Sequence, residues 1–347
     1  MTTVTVLGAG AMGSAICNPL VKAGWTVRLW GTWFDDHLID AIDNQDPHPR
    51  TGAVISSAVE TFRSDNLVAA LAGVDVVVMS VASAGVPEVT RRALPGITHA
   101  DALWLTSKGF YETDAGEVLL LPEAIRQIAR NEDATTLPPI VAVAGPVKAN
   151  ECAQGEPTAT IFGCRDGEVA KRYAREASSE SYAIRPSQDE IGVEICAPMK
   201  NVYAIALGIS DGLEEASGKP HHNLKAATFA QAVREMSLLG EAMGADPATA
   251  FGLAGVGDLE VTGLSGRNKV YGARIGRGEK PDAALSEMAQ LEQTVEGVPA
   301  AGLAKKLLKQ LGIDVRQNMP LFAAISSVLA GDTEDVQAMI GQAVLPR

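Results

Sequence analysis

At 347 residues the chain exceeds what a single hydrophobic core usually organises, so two domains are expected. Its 46% hydrophobic and 20% charged residues are those of an ordinary globular protein. A net charge of −13 with no basic cluster excludes a nucleic-acid partner, but leaves room for a small phosphorylated substrate, which needs only one or two local cations.

Cys17, Cys152, Cys164 and Cys196 stand singly, with no CxxC or Cys/His spacing, and read as reduced core thiols. The adjacent pair His221-His222 is weak evidence for a metal, because sequence neighbours point different ways; no metal site is expected. No signal peptide precedes the first element and no apolar run is long enough to span a bilayer, so a cytoplasmic protein without an integral membrane segment is expected.

Short β-branched runs alternate with helical stretches through the first half. Val4–Leu7, Val27–Trp30, Val74–Val81, Leu103–Thr106 and Ile140–Ala144 read as strands, with Ala159–Phe162 a further candidate. Beyond Ser187-Gln-Asp-Glu-Ile191 strand signals nearly vanish. Amphipathic helices are predicted over Asn223–Met243, Pro281–Leu291, Pro299–Leu311, Met319–Ala330 and Thr333–Ala343. The fold class expected is α/β plus all-α: a Rossmann-like, doubly wound parallel sheet over residues 1–189, followed by an all-helical domain over 190–347.

Gly8-Ala-Gly-Ala-Met-Gly13 follows the first strand and opens a helix. In that setting the first glycine permits a tight turn, the second lets a pyrophosphate approach the backbone, and the third allows close helix–strand packing. The segment after the second strand, Trp30-Gly-Thr-Trp-Phe-Asp-Asp36, delays its acids past the position that binds an NAD ribose, which leans toward NADP. Arg50 could meet a 2′-phosphate or be a surface residue.

Lys200 lies in Gly192–Gly208, a segment almost free of charge, with apolar or small residues at helical spacing from Val193 to Ile209. Burial lowers a lysine pKa toward the range of a usable acid or base; a lysine that snorkels to the helix edge or pairs with a carboxylate is the plainer reading. Thr106-Ser-Lys-Gly109 and Ala144–Glu151 each end a sheet strand, and Gly252–Asn268 is a glycine-rich loop leading to Arg267, with Asp258 and Thr262 upstream. A guanidinium, a hydroxyl and free amides together suit a phosphate monoester.

Gly8–Gly13, Ser107-Lys-Gly109, Gly145-Pro146 with Glu151, Lys200-Asn201, Asp211-Gly212, Asn223 with Lys225, Gly257-Asp258-Leu259, Gly266-Arg-Asn268 and Val295-Glu-Gly297 occur in the order seen in NAD(P)-dependent glycerol-3-phosphate dehydrogenases, which this chain resembles from its first strand to about Gly297. The resemblance implies reversible hydride transfer between NAD(P) and a three-carbon phosphate, sn-glycerol 3-phosphate or dihydroxyacetone phosphate. It makes Lys200 the acid/base, with Lys108 and Asp258 the other catalytic residues. Lys108, Gly145, Lys200, Asn201, Asp258, Thr262, Arg267 and Asn268 would bind substrate. Gly8, Gly10, Ala11, Met12, Gly13, Thr32, Lys108, Ala149, Arg267 and Glu296 would line the cofactor path. A homodimer is also implied.

The chain departs from the family pattern at Val147, where a hydroxyl is usual, at Lys148, where an apolar residue is usual, and at Gln231, where an arginine is common. The run Glu214–His222 is also extended. These departures leave open the same chemistry on a different polyol phosphate or a hydroxyacid. A dinucleotide-sensing regulator without turnover is a third reading, opposed by the presence of Lys200, Lys108 and the Gly266-Arg-Asn268 loop.

Overall fold

The computed structural model describes residues 1–345 except 135 and 292. The chain separates into two compact units, Met1–Tyr111 with Leu120–Glu194, and Glu112–Leu119 with Ile195–Arg347.

In the first unit, strands β1 (Thr3–Leu7), β2 (Thr26–Trp30), β3 (Glu60–Phe62), β4 (Val76–Met79), β5 (Ala102–Leu105), β8 (Ile140–Ala144), β9 (Thr158–Gly163) and β10 (Tyr182–Ser187) form one sheet, ordered β10-β9-β8-β5-β4-β1-β2-β3. Strands β6 (Phe110–Glu112) and β7 (Val118–Leu120) form a separate two-stranded ribbon. Neighbours in the large sheet pair in parallel, except β8 with β9, which is antiparallel.

Alternate side chains of the central strands feed two apolar clusters, one on each face. Val76 and Val78 join Val4, Val6 and Trp104, while Val77 and Met79 join Leu7, Trp30 and Leu105. A sheet buried on both faces needs continuous apolar strands, which is why these runs are legible as strands. Each of the six expected strands is present. Strands β3 and β10 went unanticipated because they lie at the two edges of the sheet, where half-exposed polar residues such as Glu60 and Arg185 interrupt the pattern.

Helices make up the rest of the second unit. Glu190–Ser217 carries the chain into it and is buried continuously from Val193 to Ser210. His222–Ala242, Asp258–Ser265, Arg267–Gly276, Pro281–Gln290, Gly297–Gln310, Pro320–Leu329 and Val336–Val344 follow. No helix among the described residues is long and apolar enough to cross a membrane.

The second unit turns on one close crossing. A Cβ on Gly208 or Gly212 would stand 2.0 Å from the carbonyl oxygen of Lys269 or Ala273 respectively, and one on Gly272 would stand 1.9 Å from that of Ile205. Helices Glu190–Ser217 and Arg267–Gly276 therefore meet backbone to backbone, at a separation only glycine permits. Gly272→Ala is expected to lower stability by about 3 kcal/mol or more in urea unfolding. Gly302→Ala, on the exposed face of Gly297–Gln310 with open space around it, should be neutral or stabilising by up to about 1 kcal/mol.

Candidate active site

Strand β1 ends at Leu7 and the helix Ala11–Lys22 begins just after Gly10. Gly8 takes φ +108°, and a Cβ there would stand 2.9 Å from the Ser80 carbonyl oxygen; one on Gly13 would stand 2.0 Å from that of Gly8. The turn is thus tight and the helix lies against the strand. No side chain caps this helix and its first turn carries no acid. First-turn amides with no side-chain cap form a cradle for an anion. Ala11 and Met12 start that turn.

Two residues outside the expected set shape this loop. Asp35 is buried, and its Oδ2 accepts from Ala9 N at 3.2 Å, Thr32 N at 2.9 Å and Thr32 Oγ1 at 2.8 Å. The acid that follows β2 is therefore folded into the glycine turn, and Thr32 serves as its donor. His48, fully buried, places Nε2 3.0 Å from the Ala9 carbonyl oxygen and 3.1 Å from Ser14 Oγ, while its Nδ1 accepts from Arg50 N at 3.2 Å. A donating Nε2 and an accepting Nδ1 define the neutral imidazole. Burial, and then the nearby Arg50 cation, push the His48 pKa below its usual value, against the Ala9 bond and Asp35. Arg50 has no ion-pair partner among the described residues, and its Nη1 stands 3.6 Å from where a Cβ on Gly10 would be.

Lys108 emerges beyond the carboxyl end of β5. Its neighbours are pinned there, Thr106 Oγ1 donating to Ser80 Oγ at 2.8 Å and Ser107 Oγ to the Val81 carbonyl at 2.6 Å. Lys108, Met12, Gly145, Val147, Thr160 and Tyr182 all line one small cavity. Gly145 follows β8 with φ +126°, its Cα backed against Thr160, and Ala149 opens the next helix. Val147, like Met12 and Ala149, packs against the buried cluster of Ala15, Ala53, Cys152, Ala153 and Tyr182, and the Lys148 ammonium lies 3.5 Å from Glu151.

In the second unit Lys200 is 7% exposed and donates to Asp258 Oδ1; Asp258 is completely buried. Asp258 opens the helix Asp258–Ser265, which carries Thr262 one turn on. Asn201, next to Lys200, donates from Nδ2 to Glu296 Oε2 at 3.1 Å, and Arg267 approaches Glu296 Oε1 at 3.8 Å. Asn268 Oδ1 accepts from Gly297 N at 2.8 Å. Arg267 and Asn268 begin the helix Arg267–Gly276, whose N-terminus has no side-chain cap. Lys200, Asn201, Asp258, Arg267, Asn268 and Glu296 thus form one connected group that includes a guanidinium and an uncapped helix N-terminus.

Two family models match. One, described as the NAD-dependent glycerol-3-phosphate dehydrogenase N-terminus, covers residues 3–170, and its C-terminus counterpart covers 189–340. The chain belongs to the NAD-dependent glycerol-3-phosphate dehydrogenase family. The NADP(+)-dependent glycerol-3-phosphate dehydrogenase of Archaeoglobus fulgidus is 35% identical over 314 residues, covering 90% of this chain and 92% of that protein. The glycerol-3-phosphate dehydrogenase [NAD(P)+] of Geobacter metallireducens is 33% identical over 344 residues, 97% of this chain and 95% of the relative. Among solved structures, glycerol-3-phosphate dehydrogenase of Coxiella burnetii superposes with a TM-score of 0.80 at 27% identity, covering 98% of each chain.

Membership makes the protein an NAD(P)-dependent oxidoreductase. His48 sits in no recognisable motif, and Asp35 is legible in the sequence only as a late acid; each acts through the chain's return to the glycine loop. The extended run Glu214–His222 closes on itself, His221 N donating to Glu214 Oε2 at 3.3 Å and His221 Nδ1 lying 2.8 Å from the Lys219 carbonyl oxygen.

The buried, neutral His48 carries a pH signature. Its folded pKa lies below the unfolded value of about 6.5, so its contribution to stability is present above that value and is lost as pH falls below it, where the unfolded chain takes up the proton. Urea midpoints at pH 7.5 and 5.5 should diverge less in His48→Gln than in the parent protein.

Proposed function

We propose that the protein interconverts sn-glycerol 3-phosphate and dihydroxyacetone phosphate, with Lys200 as the acid/base and NADP(H) as the preferred coenzyme. The observation that carries this reading is the buried Lys200–Asp258 pair, joined in one unit to Asn201, Glu296, Arg267 and Asn268. The names of its relatives supply the substrate. Thr262, Arg267 and Asn268 hold the substrate phosphate at the helix N-terminus.

The glycine turn fits a dinucleotide: a Cβ at Gly8 or Gly13 would collide with backbone, and the helix behind it is uncapped. When bound, the nicotinamide supplies a hydride to carbon 2 of the ketone or takes one from the alcohol. In the reducing direction the Lys200 ammonium hydrogen-bonds the carbonyl oxygen and gives up a proton as that oxygen acquires charge. In the oxidising direction the neutral amine takes the hydroxyl proton. Asp258 orients the amine and stabilises its ammonium form.

The lean toward NADP rests on the loop after β2. Asp35 already commits its Oδ2 to Ala9 and Thr32, and Arg50 stands beside Gly10 with a guanidinium that makes no ion pair among the described residues and suits a 2′-phosphate. The three departures that opened a different substrate each have a local account. Val147 fills an apolar cluster, Lys148 pairs with Glu151, and Gln231 bonds Glu235. None belongs to the Lys200 group, so neither a hydroxyacid nor a sensor is favoured. A cytoplasmic setting is supported by four free, buried cysteines, and a homodimer by the family resemblance.

Lys200→Ala is expected to lower kcat by about 10²- to 10⁴-fold while the protein remains folded by circular dichroism. Turnover near that of the parent would remove Lys200 from its role. Arg50→Ala should lower kcat/KM for NADPH by about ten- to a hundredfold and leave NADH nearly unaffected. Equal losses with both coenzymes would argue against the 2′-phosphate assignment.

A further inference from the structure

The second unit holds a surface groove of about 820 Å³, none of whose lining residues belongs to the candidate active site. That volume lies in the range of small-molecule sites. Arg234, Arg316, Gln231, Gln317, Asn318 and Gln342 supply its polar wall. Among the described residues no aspartate or glutamate lines it, in a chain that has 42. Arg234 and Arg316 make no ion pair among the described residues, whereas Arg274 and Arg277 each engage two carboxylates. Asp314, the acid nearest Arg316 in sequence, turns its Oδ1 to the backbone amides of Arg316 and Gln317 instead. Two uncommitted guanidiniums among amide side chains are the chemistry that recognises paired carboxylates or phosphates.

The groove wall is tied to the helix that carries Lys200. Gln231 donates from Nε2 to Glu235 Oε1 at 2.8 Å, and Tyr203 donates from its hydroxyl to Glu235 Oε2 at 2.9 Å. Leu321 N and Phe322 N donate to the same carboxylate at 2.7 and 2.9 Å, at the start of Pro320–Leu329, whose Pro320, Ala323 and Ser327 also line the groove. Glu235 is fully buried, and Tyr203 lies three residues past Lys200 on the same helix. A ligand that draws Gln231 toward itself weakens one of the four bonds holding this carboxylate.

We propose that the groove is an effector site for a small acidic metabolite bearing at least two carboxylate or phosphate groups, and that Gln231, Glu235 and Tyr203 relay its occupancy to the Lys200 helix. The effect on turnover rests on the role assigned to Lys200 above; binding does not, so the two can fail separately.

Calorimetric titration with citrate and with pyrophosphate, each in saturating glycerol 3-phosphate and NADPH (a pair that cannot react), keeps the candidate active site filled. At least one anion should bind. The double variant Arg234→Ala/Arg316→Ala should weaken that binding at least about tenfold while basal turnover stays unchanged. The bound anion should shift KM or kcat of the parent protein, and Gln231→Ala should retain binding within a fewfold yet lose that shift. No heat from either anion at about 10 mM, or an affinity unchanged in the double variant, overturns the site. Binding that leaves KM and kcat untouched overturns its role as an effector site.

Discussion

A lysine ammonium in the middle of an apolar helix demands an answering charge, and Asp258 supplies it. From Val193 to Ser210 the helix is buried residue after residue, so Lys200 keeps only slight contact with solvent. Such a pair gains little net stability, because desolvation of both charges offsets their attraction, but removing one partner costs about 3–5 kcal/mol. The pairing therefore acts as a constraint: the helix Asp258–Ser265 has to begin where the Lys200 side chain ends. Asn201 and Glu296 follow from it, since the residue after Lys200 lands on the turn that leads into Gly297–Gln310.

What keeps Arg267 and Asn268 at that point is the absence of side chains elsewhere. Gly208, Gly212, Gly272 and Gly276 form two glycine pairs, four residues apart on each helix, and the carbonyls they face would collide with any Cβ. The separation of the two helices is thus set by backbone alone, with no side chain able to rearrange and relax it. Asp211, one residue before Gly212, adds a charged clasp to Lys225 at 2.7 Å and Lys269 at 2.9 Å. Burial alone would raise the Asp211 carboxyl, but bonds to these two lysines hold it below its usual value. The clasp fixes the turn of helix that begins with Arg267 and Asn268.

Legibility in the sequence followed burial. Strands β1, β4 and β8 were readable because both faces are covered and nearly every residue must be apolar; β3, β10 and the β6–β7 ribbon were not, because edge position lets polar residues break the run. Lys200 stood out as a lone charge in an apolar stretch. Asp258 did not, since its partner lies 58 residues away and only the family pattern joined them. Lys148 was readable as an added cation, but not as one matched by Glu151 on the following turn. Gln231 was visible as a departure, yet its meaning depended on Glu235, whose burial no local pattern announces.

The coenzyme end shows the same rule acting on polar residues. The loop after β2 lacks an acid at the usual ribose position, and sequence alone cannot say whether a later acid swings back. Asp35 does swing back, but into the glycine turn rather than toward a ribose: three hydrogen bonds from Ala9 and Thr32 occupy its Oδ2. The carboxylate has become a brace for the turn. A buried, neutral His48 then ties the chain that carries Arg50 to the same turn through Ala9 and Ser14. On the NADP reading proposed above, an acid held in the glycine turn and an arginine beside Gly10 offer positive rather than negative charge there, which suits a 2′-phosphate.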